Sequence, residues 1–169
     1  MPSKPDLAIA SMERLTEQRG DITAEVLELY YARFPEARSS FEHHGCGNTA
    51  ELESSMVSTT AFFLLQWTES RSSVVIEQGT TIPHHHDTLL VGPQWYMELI
   101  DAVLVVLLDS IPEANTDERE MWLNARGEIA QLIEGLREEF WRKDEDGPLP
   151  EFERDRSNWA KPFAILTQE

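Results

Sequence analysis

The sequence predicts an all-α fold followed by a C-terminal extension, and three observations lead to this prediction. Apolar residues recur every three or four positions along almost the whole chain, which is the spacing of one helix face. The 169 residues are 41% apolar, enough for one domain with its own core. Two aliphatic runs could suggest strands, but the run at 74–76 is too short, and the run at 103–108 lies within a strong helical period.

Glycine, proline and capping residues set the predicted boundaries in the first part of the chain. A first helix ends at Gly20, and Asp21 can cap the second, which Pro35 ends or bends. The two glycines within residues 42–48 predict a loop there. A third apolar stripe follows at helical spacing, formed by Leu52, Met56, Thr59, Phe63 and Trp67.

The second part of the chain contains the longest predicted helix and the tail. Pro93 suits the first turn of one helix, and Thr116 can cap the last. The last helix has one apolar stripe, made of Trp122, Ala125, Ile129, Leu132, Ile133, Leu136 and Phe140. We expect a domain at residues 1–142 and a tail at 143–169, whose Trp159 and Phe163 would dock on the domain or on a second subunit of a homodimer.

Charge and cysteine content narrow the range of partners and compartments. Acidic residues outnumber basic ones by 31 to 14, so the formal net charge of -17 disfavours nucleic acid and anionic membranes as partners. With Cys46 as its one cysteine the chain forms no internal disulfide, which fits a reducing compartment. The N-terminus does not have the pattern of a signal peptide, and the longest apolar stretch is short for a membrane span. We expect a cytoplasmic protein.

The five histidines fall in two places, His43–His44 and His84–His86. On a helix, three successive side chains point about 100° apart and do not share one metal ion. On a strand, His84 and His86 would share a face, but two ligands are too few for a closed zinc site. A zinc site would therefore need a distant histidine or carboxylate as well.

The segment that follows the triple histidine carries a more specific pattern. It has His86, then Leu89, Val91, Pro93 and Tyr96 at fixed spacing. This segment resembles the haem-proximal segment of bacterial globins.

Two further motifs, in the right order, carry the same resemblance. Leu27, Tyr31, Pro35-Glu36 and Phe41 match the second-helix pattern of that family, and residues 122–130 look like its terminal helix. The resemblance covers roughly residues 5–141 and is closest to single-domain bacterial haemoglobins and to the haem domain of flavohaemoglobins. It implies a globin-like fold at residues 1–142.

The resemblance also implies a cofactor, haem b, and the residues around it. His86 would ligate the iron, Tyr96 would pack or hydrogen-bond beside it, and Phe41 would stack on the haem edge. The same comparison brings Tyr31 and Val91 to the haem pocket.

On the distal side the sequence departs from the family. Leu27 stands where bacterial haemoglobins usually carry a tyrosine, and Leu52 and Met56 align over the iron. The pocket would offer bound oxygen few hydrogen-bond donors. His43 or His44 could supply a donor or a sixth iron ligand; otherwise both are solvated loop residues.

The expected function is reversible binding of a diatomic gas (O₂, NO or CO) at haem iron, for sensing, storage or redox chemistry. A reductase or signalling module would then be a separate chain. A nitric oxide dioxygenase or a peroxidase-like enzyme is one alternative. A haem-free globin-like module that binds another ligand or a protein is the other.

Overall fold

The computed structural model describes residues 2–140, and all regular secondary structure in that range is α-helical. The predicted all-α class is therefore confirmed. The helices of this range are α1 (Lys4–Arg19), α2 (Thr23–Arg33), α3 (Pro35–His44), α4 (Thr49–Glu69), α5 (Arg71–Leu89), α6 (Pro93–Ser110) and α7 (Thr116–Phe140). The tail predicted at 143–169, with Trp159 and Phe163, lies outside the described residues.

The sixth helix forms the centre of the core. It packs against α1, α2, α4 and α7, and it is buried on nearly all sides. A helix that is apolar all round is expected in such a position, because every face meets another helix. The α7 stripe predicted from the sequence packs inward through Trp122, Ile129 and Ile133, which are at most 1% exposed.

Several helix boundaries lie where glycine and proline predict them. The first helix ends at Gly20, which adopts a positive φ of 65°. Pro35 and Pro93 both occupy the first turn of a helix, where the missing N–H costs no hydrogen bond. The prediction that Asp21 is the N-cap of α2 is wrong, because Ile22 occupies that position without a side-chain cap. Asp21 lies one residue earlier, where its Oδ1 accepts a hydrogen bond from the Thr23 N–H at 2.9 Å.

Two boundaries differ from those predicted, and one helix continues through a proline. Residues 42–44 belong to α3, so only 45–48 form the loop. The fifth helix includes residues 74–76 and continues through Pro83. Thr116 is the first residue of α7 and not its cap.

Length and apolar content decide whether a helix can cross a bilayer. Within residues 2–140, none of the helices alone is both long and apolar enough to do so. The helices α5 and α6 are long and apolar enough only when they are taken together, and they are bent by 117° relative to each other.

Candidate functional site

An apolar cavity lies between the middle helices. It measures about 200 Å³, or about 740 Å³ when the open space at its mouth is included. Its walls come from five helices and the α5–α6 connection, through Tyr30, Ser40, Phe41, His44, Leu52, Met56, His85, Leu89, Val91, Trp95, Tyr96 and Leu99. Two histidines from different helices thus face one largely apolar space.

His85 is the histidine that α5 brings to this cavity. Its Nδ1 forms a hydrogen bond with the Tyr96 hydroxyl, and the two rings stack with centroids 6.0 Å apart. Burial lowers the pKa of His85, and the neighbouring His84 lowers it further. Burial raises the pKa of Tyr96, so its hydroxyl stays protonated. The result is a neutral imidazole whose Nδ1 is occupied by Tyr96. In the tautomer that carries its hydrogen on Nδ1 and donates it to the Tyr96 oxygen, the Nε2 lone pair is available to a ligand.

His44 reaches the cavity from the last turn of α3. Its Nδ1 lies 2.8 Å from the Ser40 carbonyl oxygen and 3.3 Å from the Ser40 hydroxyl. Phe41, one turn earlier, lines the same cavity, and Ala37 before it is fully buried. Positions 37, 41 and 44 share one face of α3 by helical spacing, and burial decreases along it from Ala37 to His44, which lines the cavity but is exposed.

The aromatic residues between α2 and α3 hold this wall in place. Phe41 meets Tyr30 and Tyr31 edge to face, at centroid distances of 6.4 and 6.1 Å. Such pairs contribute about 0.5–1.5 kcal/mol beyond the area they bury. The position of Phe41 is therefore fixed by packing with α2.

The structure brings together most of the predicted site residues. Phe41, Leu52, Met56, Val91, Tyr96 and His44 all line the cavity. It also adds residues that sequence reasoning missed, namely Tyr30, Ser40, His85, Leu89, Trp95 and Leu99. Spacing in the sequence does not separate residues that pack in the core from residues that line a cavity.

Four predicted residues lie elsewhere. Leu27 and Tyr31 line a separate cleft between α2, α3 and α4, and His43 packs its ring against the edge of His44. His86 is not among the cavity-lining residues; its side chain is 20% exposed, with Nδ1 at 3.5 Å from the Asp87 carboxylate. The histidine of α5 that lines the cavity is therefore His85, one residue before the predicted His86.

The separate cleft contains polar and charged side chains beside its apolar ones. The Tyr31 hydroxyl donates a 2.5 Å hydrogen bond to Glu53, and the Arg38 guanidinium lies 4.8 Å above the Tyr31 ring centroid. Burial, and then the hydrogen bond to Glu53, raise the pKa of Tyr31. The Tyr31 hydroxyl therefore binds Glu53 in this cleft and does not face the apolar cavity.

Next to the cavity wall, α6 carries two buried carboxyl groups. Arg126 forms a bidentate pair with Asp101, with both N–O distances at 2.9 Å. Glu98, 1% exposed, receives one hydrogen bond from Arg33 at 3.1 Å, and its Oε2 has no hydrogen-bond partner. Burial raises the pKa of Glu98 to about 7 although Arg33 opposes the shift.

Among residues 2–140, no group of three or more His, Cys, Asp or Glu side chains is placed to hold a metal ion. Comparison with protein-family models, with curated proteins and with solved structures finds no match to this chain.

Proposed function

We propose that this chain is a haem-binding protein of the globin type, which holds haem b in the apolar cavity and binds a diatomic gas there. The observation that carries the proposal is the pairing of His85 with Tyr96 on the wall of that cavity. The sequence resemblance supports the same function independently, since it predicts an iron-ligating histidine at the end of this helix with Tyr96 beside it.

The donor set fits haem. A neutral imidazole is the usual proximal ligand of globin iron, and a ligating histidine almost always has its second ring nitrogen hydrogen-bonded. His85 meets both conditions. We therefore assign the ligand role to His85 and keep His86, the residue given by the resemblance, as the competing assignment.

The walls fit a porphyrin in chemistry. Leu52, Met56, Leu89, Val91 and Leu99 supply aliphatic or thioether surface. Ligand sites typically measure about 300–1,000 Å³. The 200 Å³ of the cavity falls short of this range, so haem would have to extend through the mouth.

Haem, when bound, supplies an iron atom that can take a diatomic gas at its open position. The protein residues around that position decide how strongly a polar ligand is held. On α4, Leu52 and Met56 offer no hydrogen-bond donor. A neutral hydrogen bond is worth about 1 kcal/mol net, so oxygen, which gains most from a donor, would be released readily.

Haem titration of the purified chain tests the proposal. We expect a Soret band that saturates at one haem per chain. The variant His85→Ala should lose it or bind far more weakly, because the protein–iron bond is removed. His84→Ala and His86→Ala are matched controls, one residue away on each side, and should retain it.

Two outcomes would correct the proposal in different ways. Loss of haem in His86→Ala with retention in His85→Ala would restore the ligand given by the resemblance and leave the function intact. Failure of the unmodified chain to bind haem would exclude the function. The small size of the cavity favours, in that case, a haem-free module that takes a small apolar ligand.

A further inference from the structure

We infer that the C-terminal segment 154–166 of this chain docks in an apolar groove between α1 and α4 of its own domain. The groove shares no residue with the apolar cavity, so the inference does not depend on haem. It is carried by the exposure of the groove, by the acidic residues beside it and by the amino-acid sequence of the segment. The segment itself lies outside the described residues.

The groove is an apolar surface that α1 and α4 leave open to solvent. It measures about 460 Å³ and is lined by Ile9, Met12, Glu13, Thr16, Glu17 and Leu65. The α1 residues follow at intervals of three and four positions, so they share one face of that helix. Ile9 is 41% exposed, and Phe62, one turn before Leu65 on the same face of α4, is 58% exposed. Exposed apolar surface rimmed by polar residues is typical of an interaction site.

Acidic side chains flank the apolar part of the groove. Glu13 and Glu17 are both exposed, and they lie four residues apart on α1, where like charges repel each other. Both arginines of α1 form ion pairs with other carboxylates, Arg14 with Glu118 and Arg19 with Glu25 and Asp109. The groove is therefore complementary to a segment that is both apolar and positively charged.

Residues 154–166 combine these two properties. The segment has three basic residues and one acidic residue, so its formal net charge is +2 in a chain whose net charge is -17. Its large apolar side chains are those of Trp159, Phe163, Ile165 and Leu166. An aromatic side chain buries about 150–250 Å² when it packs, so two of them can supply most of the contact that docking needs.

The chain is long enough for the segment to reach the groove of its own domain. Trp159 follows Phe140, the last residue that the structure describes, by 19 residues. At about 3.3 Å per residue such a stretch spans up to about 60 Å, which exceeds the diameter of about 40 Å expected for a domain of this size. A tethered segment acts at a high effective concentration, and the charge of -17 on each chain opposes the approach of a second copy.

Paramagnetic broadening in NMR spectra of the full chain tests the inference. A nitroxide is attached to the single cysteine of the variant Cys46→Ser/Ser157→Cys, which leaves the charged and apolar residues of the segment unchanged. The amide signals of Ile9 and Leu65 should lose most of their intensity. The signal of Ile76, which is exposed on α5, should keep its intensity.

Charge reversal separates docking in this groove from non-specific contact. In the labelled protein, Glu13→Lys/Glu17→Lys should abolish most of the broadening at the groove. Glu77→Lys, at an exposed position of α5, is the control and should leave the broadening unchanged. Adding Arg154→Glu/Arg156→Glu to the groove variant should restore the broadening, because the two charges are then exchanged. Broadening that persists in Glu13→Lys/Glu17→Lys would overturn the role of the groove.

Trypsin cleavage gives a second readout. Cleavage after Arg156 requires the segment to leave the groove, so it should be about fivefold slower in the unmodified chain than in Ile9→Ser. Ile76→Ser is the matched control, because it makes the same change at an exposed helical position outside the groove, and it should be cleaved at the unmodified rate. Equal rates in all three proteins would contradict the docking.

A mixing experiment distinguishes docking within one chain from docking between chains. Nitrogen-15 chain without a nitroxide is mixed with nitroxide-bearing chain without nitrogen-15, and its groove signals should stay sharp. Broadening in this mixture would place the segment on a second copy and overturn the inference as stated. Sharp groove signals in the nitroxide-bearing chain itself would exclude the docking altogether. Neither result bears on haem binding, which the Soret band measures separately.

Discussion

At the scale of single residues, Glu98 is a carboxyl group that folding places in an unfavourable environment. It is 1% exposed on α6, and one of its oxygens has no hydrogen-bond partner. Burial outweighs the attraction of Arg33 and raises its pKa from 4.5 to about 7. Its side chain is therefore neutral in the folded protein under mildly acidic conditions, where it would be charged in the unfolded chain.

This shift predicts how stability depends on pH. Between pH 4.5 and about 7 the folded state binds a proton that the unfolded state has released, so the free energy of unfolding falls as pH rises. The full loss is about 3 kcal/mol, since one pKa unit corresponds to about 1.4 kcal/mol. Urea unfolding at pH 5 and pH 8 should show this loss in the unmodified protein and a much smaller one in Glu98→Gln.

A control for the Glu98 prediction is available on the surface. Glu113 is exposed in the loop before α7, and Glu113→Gln should reproduce the unmodified pH profile. If Glu98→Gln also kept that profile, another group would have to carry the pH dependence.

The assignment of the cavity histidine shows how far sequence reasoning reaches at this scale. The spacing from His86 to Tyr96 identifies the segment that meets the cavity, and in the structure Tyr96 and Val91 both line that cavity. It does not fix the rotation of α5 about its own axis. One residue turns a side chain by about 100°, and the position of the ring is set by its contact with Tyr96, which lies on another helix.

At the scale of elements, the turn between α3 and α4 positions His44. Gly45 follows His44 directly, and a Cβ atom there would come within 2.8 Å of the Phe41 carbonyl oxygen and of the Thr49 Cα. Both contacts are with backbone atoms, which cannot move aside as a flexible side chain would. The close approach of the two helices therefore requires glycine at position 45.

We expect Gly45→Ala to destabilise the protein by about 1–3 kcal/mol, the usual cost of forcing extra volume into a packed site. Gly79→Ala is the matched control, because a Cβ atom added to this helical glycine would meet nothing within 4 Å. It should be neutral or stabilising by about 0.5–1 kcal/mol, because alanine favours the helix. Thermal unfolding of both variants measures the difference, and equal effects would contradict the close approach described for Gly45.

The same elements show which boundaries a sequence can predict. Gly20, Pro35 and Pro93 act locally, so their boundaries are confirmed. The extension of α3 to His44 depends on the inward packing of Phe41, and the path of α5 through Pro83 depends on burial of Ile82 and Pro83. These are tertiary effects, and they outweigh the local preference of glycine and proline to end a helix.

At the scale of the whole molecule, a buried polar network joins the first helix to the last. Ser11 on α1 is fully buried; its hydroxyl donates to Glu118 at 2.5 Å and accepts from the Trp122 indole N–H at 2.9 Å. Arg14 and Asn115 also bind the Glu118 carboxylate. Burial raises the pKa of Glu118, but these hydrogen bonds outweigh it and leave the pKa below its usual value.

This network predicts the effect of removing one small hydroxyl group. Ser11→Ala leaves the Trp122 N–H, which is completely buried, without its acceptor and takes one donor from Glu118. A buried polar group without a partner costs about 1–3 kcal/mol, so the variant should lose that much unfolding free energy. Ser58→Ala is the control, because Ser58 is exposed on α4 and its replacement should have little effect.

A double-mutant cycle with Trp122→Phe assigns the cost to this particular contact. Phenylalanine keeps much of the ring surface but has no N–H, so the partner lost in Ser11→Ala is no longer needed. If the two residues interact as described, the double variant should lose less stability than the sum of the single ones. Strictly additive losses would mean that Ser11 acts through Glu118 alone, and that Trp122 holds α7 against α1 by packing and not through its hydrogen bond.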